Sequence, residues 1–98
     1  MVLVDTSVWI DHFRQGNAPL QALLDEGAVL MHPFVRGELA CGNFRNRRST
    51  LEVLARMPAA AKVTEEETIE FLERRSLYGR GIGYIDVHVL ASALLTPE

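Results

Sequence analysis

Residues 1–10 read MVLVDTSVWI. Three apolar residues, Val2-Leu3-Val4, stop abruptly at Asp5-Thr6-Ser7, after which apolar residues resume. A short continuous apolar run bounded in this way predicts a strand buried on both faces, as in parallel sheets. Thr6 or Ser7 is placed to cap a short helix over Val8 to Phe13. A strand that passes directly into a helix is the repeating unit of parallel α/β domains.

The pattern recurs further along. Gln15-Gly16-Asn17 is a turn, Asn17 a helix N-cap, and Pro19 sits in the first helical turn. Leu20, Leu23 and Leu24 form one apolar face, and Gly27 stops the helix. Ala28-Val29-Leu30-Met31 predicts a second buried strand, ended by His32-Pro33. A helix over Phe34 to Cys41 carries Glu38, and Gly42-Asn43 interrupts it. Ser49 or Thr50 is placed to cap a helix through Arg56, buried by Leu51, Leu54 and Ala55. Ala60 to Val63 predicts a short third strand. Thr64-Glu65-Glu66-Glu67 is a capping box, in which threonine and the third glutamate each serve the other's backbone N–H. Ile69 and Leu72 set that helix's apolar face, and Gly79 ends it. A loop over Arg80 to Gly83 leads to a last helix ending near Leu95, before Pro97. The expectation is one α/β domain over residues 1–98, three-layered, with a small parallel sheet between helices.

The bulk composition narrows the function. The 98 residues are 48% hydrophobic and 23% charged, normal for a globular protein. A net charge of −3 argues against coating nucleic acid through overall charge, while leaving room for a local basic patch. A single cysteine, Cys41, allows no internal disulfide and fits a reducing, cytoplasmic setting. No apolar run has the length of a membrane span, and the N-terminus lacks the basic and apolar regions of a signal peptide.

Ligands of open α/β sheets gather beyond the carboxyl ends of the strands. Asp5 follows strand one, and Glu38 lies a few residues beyond strand two. Asp86 stands in the first turn of the last helix, within the apolar stretch Gly81-Ile82-Gly83-Tyr84-Ile85-Asp86-Val87-His88. In a parallel sheet all three reach one edge. Two carboxylates about 4 Å apart repel by roughly 4 kcal/mol at an effective dielectric near 20. Proton uptake or a divalent cation relieves this. All-oxygen ligands suit Mg²⁺ or Mn²⁺ rather than zinc, and such a cation activates water and clamps phosphate oxygens. The constellation therefore points to metal-assisted phosphodiester hydrolysis.

Taken singly, each acid also has a structural reading: Asp5 a turn residue, Asp86 an N-cap, Glu38 a solvated helix residue near Arg36 or Arg45. Gly81-x-Gly83 is not a dinucleotide fingerprint, and neither a P-loop nor a nucleophile elbow is present. His12, His32 and His88 share no zinc-ligand spacing. His88 reads as a partly buried histidine, Trp9 as core or interface. Arg45, Arg47 and Arg48 beside Phe44, and Arg74, Arg75 and Arg80, form two basic groups. They read either as phosphate grips or as solvated faces.

The segment Val2 to Ile10 resembles the opening of PIN-domain proteins of the VapC toxin type. Arg36-Gly37-Glu38-Leu39 resembles that family's second acidic motif, and Gly81 to Ala93 its third. The resemblance runs from Met1 to about Leu95. It implies a PIN-like fold and a ribonuclease, a hydrolase of phosphodiester bonds. Mg²⁺ or Mn²⁺ would be held by Asp5, Glu38 and Asp86, the catalytic and metal-binding acids, with Ser7 a supporting hydroxyl. Structured RNA, transfer or ribosomal, would be cut by activated water to leave a 5′-phosphate. The chain would be the toxin of a toxin–antitoxin pair, a cytoplasmic homodimer inhibited by a VapB-type antitoxin, with no membrane association. Family members continue into a further strand with a fourth acid. This chain ends at Thr96-Pro97-Glu98, and Glu98 has no matching context. The expectation is thus a C-terminally incomplete domain lacking its last strand or strands. A second reading follows: a catalytically impaired remnant that binds antitoxin or associates with itself. A nuclease of the same fold acting in RNA processing or on flap structures is a third.

Overall fold

The computed structural model describes residues 1–95. Residues 96–98, with Pro97 after the last helix and Glu98, lie outside the described residues. The chain divides into two compact units, Met1–Ala59 and the segment beginning at Ala60.

In the first unit, strand β1 (Val2–Leu3) pairs in parallel with β2 (Val29–Leu30), Val2 opposite Val29 and Leu3 opposite Leu30. Parallel strands need a crossover, supplied here by helices α1 (Thr6–Gln15) and α2 (Ala18–Asp25). The strands are shorter than the apolar runs that predict them, but Val4 and Met31 just beyond them are buried. The third strand expected over Ala60 to Val63 does not form among the described residues. Met31 makes one parallel bridge with Ala59 instead. Its N–H donates to the Pro58 carbonyl at 2.8 Å, and Pro58 has no N–H with which to continue a ladder.

Helix α1 begins two residues before the expected Val8, because Asp5 itself is the N-cap. Asn17 caps α2 as its sequence predicts, accepting from Leu20 N at 2.9 Å. Helix α3 (Pro33–Ala40) starts with proline at its first position, and the buried His32 caps it through Nδ1, accepting from Phe34 N at 2.9 Å. Helix α4 (Arg47–Ala55) starts before the expected Ser49. Asn46 turns the chain at φ 57°, a left-handed conformation that asparagine tolerates, and the Ser49 hydroxyl donates back to its carbonyl. Trp9, Leu20, Val29, Val35, Leu39 and Leu54 are buried in this unit. Helix α1 packs against α2 and α3, and α3 against α4. The rings of Phe13 and Phe44 stack 4.6 Å apart.

The second unit contains α5 (Glu65–Arg74) and α6 (Tyr84–Leu95), packed on each other. The capping box at Thr64 forms in both directions: Thr64 accepts from Glu67 N and Glu67 from Thr64 N. The inner face of α5 differs from the expected one. Ile69 is 48% exposed, whereas Thr68 is wholly buried. A buried hydroxyl is tolerable because Thr68 donates it to the Thr64 carbonyl at 2.8 Å. Along α6, Val87, His88, Ala91 and Ser92 are buried, while Ile85, Leu90 and Leu94 are exposed. The periodicity explains why an apolar stretch holds Asp86: the exposed side of the helix includes it. No helix among the described residues is long and apolar enough to cross a membrane.

Candidate active site

Parallel pairing sets the site's position. Both strands point the same way, so the segments leaving them, Val4-Asp5 and Met31-His32, emerge at one edge of the sheet. Each leads into a helix, and α1 packs on α3.

Asp5 is exposed and extended, at φ −67° and ψ 151°. Its Oδ2 accepts from Ser7 N at 3.1 Å and from the Ser7 hydroxyl at 2.5 Å. Its Oδ1 has no protein donor among the described residues. Ser7 thus fixes the carboxylate's orientation while leaving one oxygen available. Glu38, on the sixth residue of α3, is also exposed. Its Oε1 accepts from the Thr6 hydroxyl at 3.0 Å. Thr6 is Asp5's immediate neighbour, so this hydrogen bond joins the two acids across 32 residues of sequence. The positive end of α1 also favours negative charge here.

Thr6 is the residue that sequence reasoning passes over. A hydroxyl just after a strand reads as a cap, and the capping role belongs instead to Asp5. The available signal was the pair of hydroxyls directly following the acid, one for each carboxylate.

The donors suit a hard divalent cation. They are carboxylate oxygens, each carboxylate held by a hydroxyl and each with an oxygen to spare, in an exposed setting open to water. No third His, Cys, Asp or Glu of the first unit joins them as a ligand group among the described residues. Asp86 belongs to the second unit. It lies exposed in the first turn of α6, where the helix dipole favours a carboxylate.

Comparison with known proteins bears on what such a site does. The PIN domain family model matches residues 2–96. Ribonuclease VapC32 of Mycobacterium tuberculosis, from strain CDC 1551 / Oshkosh and from strain ATCC 25618 / H37Rv, is 42% identical to the chain over 95 residues. The match covers 97% of this chain and 77% of either relative. No solved structure matches significantly.

Proposed function

This chain belongs to the PIN-domain family and is a VapC-type ribonuclease, and from that premise we propose that it hydrolyses structured RNA with Mg²⁺ or Mn²⁺ held by Asp5, Glu38 and Asp86. The observation that carries the reading is the Asp5–Thr6–Glu38 linkage at the carboxyl edge of two parallel strands. Such a cation, when bound, supplies a Lewis acid and a lowered pKa for water.

The chain's own residues do the positioning. The spare oxygens of Asp5 and Glu38 are the donors in the first unit, and Asp86 contributes the third carboxylate. Ser7 and Thr6 hold the first two carboxylates in fixed rotamers, so less freedom is lost when a ligand arrives. Hydrolysis adds one water across the phosphodiester and leaves a 5′-phosphate. Transfer and ribosomal RNA are the substrate class, a VapB-type antitoxin the inhibiting partner, and a cytoplasmic homodimer the working form.

The test is incubation of the chain with transfer and ribosomal RNA, with Mg²⁺, with Mn²⁺, and with EDTA, beside an Asp5→Asn variant. Cleavage that needs the metal and the aspartate supports the proposal. Cleavage that survives both EDTA and the substitution defeats it.

A further inference from the structure

Helices α3 and α4 pack side by side and leave an open groove of about 490 Å³ between them. Arg36 on α3 and Arg47 and Arg48 on α4 line it, together with Glu52 and the small residues Gly37 and Ala40. From Arg36 to Arg56 the chain carries five arginines against two glutamates. That is a local surplus of three positive charges in a protein whose net charge is −3.

The three groove arginines are not equivalent. Arg47 is occupied within the fold: its Nε donates to the Gly42 carbonyl at 3.0 Å and its guanidinium also bonds the Ala40 carbonyl. It thereby satisfies the Ala40 carbonyl, which the end of α3 leaves without a helical partner, and a carbonyl of the turn that follows. Arg36 and Arg48 are exposed, and their guanidinium groups make no hydrogen bond or ion pair among the described residues. Glu52 shares the groove and forms no ion pair with either of them among the described residues.

Arg36 is two residues from Glu38, about 3 Å along the helix axis. The groove residues Pro33, Arg36, Gly37 and Ala40 follow helical spacing along one face of α3, and Glu38 lies round the helix from Arg36. Two residues turn the helix by about 200°, so the groove and Glu38 lie on different faces of α3, and a strand in the groove has to cross that helix to reach the acid.

We propose that Arg36 and Arg48 form a phosphate-binding groove between α3 and α4 that holds the RNA strand across α3 from Glu38, while Arg47 serves the fold. This rests on the ribonuclease reading above. Charge complementarity selects the occupant: an acidic protein gains no affinity for a polyanion from its overall charge, so that affinity has to come from a local cationic surface. Guanidinium forks match phosphate oxygens two at a time.

The test is RNA binding in EDTA, which separates binding from cleavage, using fluorescence anisotropy with a labelled transfer RNA across a salt series. The Arg36→Gln/Arg48→Gln double variant should bind about tenfold or more weakly at low salt. Its salt slope should fall by about 1.4 to 1.8, as for two lost phosphate contacts. Glu52→Gln should bind more tightly. Lys62→Gln/Arg14→Gln, an equal charge change outside the groove, serves as the control and should bind nearly as the parent does. Thermal melting of each variant verifies folding, and Arg47→Gln should lower the melting temperature. Unchanged affinity and slope in the folded double variant overturn the proposal, also where an acidic peptide proves to need both arginines. A loss equal to that of the control pair overturns it as well, since net charge alone would then explain it. Should the parent bind RNA through these arginines yet cleave none, the groove stands and the ribonuclease reading falls.

Discussion

One hydroxyl separates two ways in which Asp5 and Glu38 can exist. With Thr6 donating to Glu38 and Ser7 donating to Asp5, both carboxylates are held in place before any ligand arrives. Thr6→Val keeps the side chain's shape and removes only the donor. Partners of this kind commonly contribute ten- to a hundredfold in metal affinity or activity. Mn²⁺ titration of the variant should therefore show weakening of about that size, with an unchanged melting temperature. Equal Mn²⁺ affinity in variant and parent would remove Thr6 from the account. At this scale Asp5 and Asp86 were conspicuous in the sequence as carboxylates just after or inside an apolar run, while Glu38 was marked only by its place beyond strand two. The sequence was silent about Thr6, whose hydroxyl has an ordinary use as a helix cap, and about His32, whose ring caps α3 from a buried position.

Helix starts are where local chemistry and the site meet. Asp5 is both a candidate ligand and the N-cap of α1. Asparagine is an equally good cap, so Asp5→Asn should abolish RNA cleavage while moving the melting temperature little. Asp5→Ala should lose the cap as well and unfold more readily by about 1 kcal/mol in urea. If the two variants prove equally destabilised, the capping contact to Ser7 contributes little. The second unit offers a parallel case away from the acids. Thr64→Ala breaks both halves of the capping box on α5 and should cost about 1 kcal/mol by urea denaturation. The element order was legible in the sequence wherever a cap and an apolar period agreed, as at Asn17 and Thr64. Legibility failed where a non-local partner decides. Ala60 to Val63 has strand-like composition, but Met31 meets Ala59 and the ladder stops there. Along α5 apolar periodicity also misses that Thr68 is buried and Ile69 exposed, because it ignores the local bond to the Thr64 carbonyl that makes a buried hydroxyl tolerable.

The scale of the whole chain is set by how little core 98 residues hold. Leu20 is 1% exposed, and Leu20→Ala should destabilise by about 2–5 kcal/mol. That is a large part of the roughly 5–15 kcal/mol available to a domain. Val53 is 60% exposed, and Val53→Ala should stay within about 0.5 kcal/mol. Chemical denaturation of the pair tests whether the burial pattern is right, since comparable losses would contradict it. At this scale the parallel α/β plan could be read from apolar runs that end in polar, helix-capping residues. That plan also placed Asp5 and Glu38 at one edge of the sheet, whereas the Thr6 hydrogen bond that links them could not be read, because sequence spacing fixes neighbours along a helix or strand and leaves long-range side-chain contacts open. The proposed function requires that Asp5 and Glu38 share a divalent cation with Asp86. A crystal soaked in Mn²⁺ and measured by anomalous scattering tests this most directly. The account predicts one peak at metal–oxygen distance, about 2.0–2.2 Å, from carboxylates of all three residues. A peak bound elsewhere, or the three carboxylates apart with no peak between them, would contradict it.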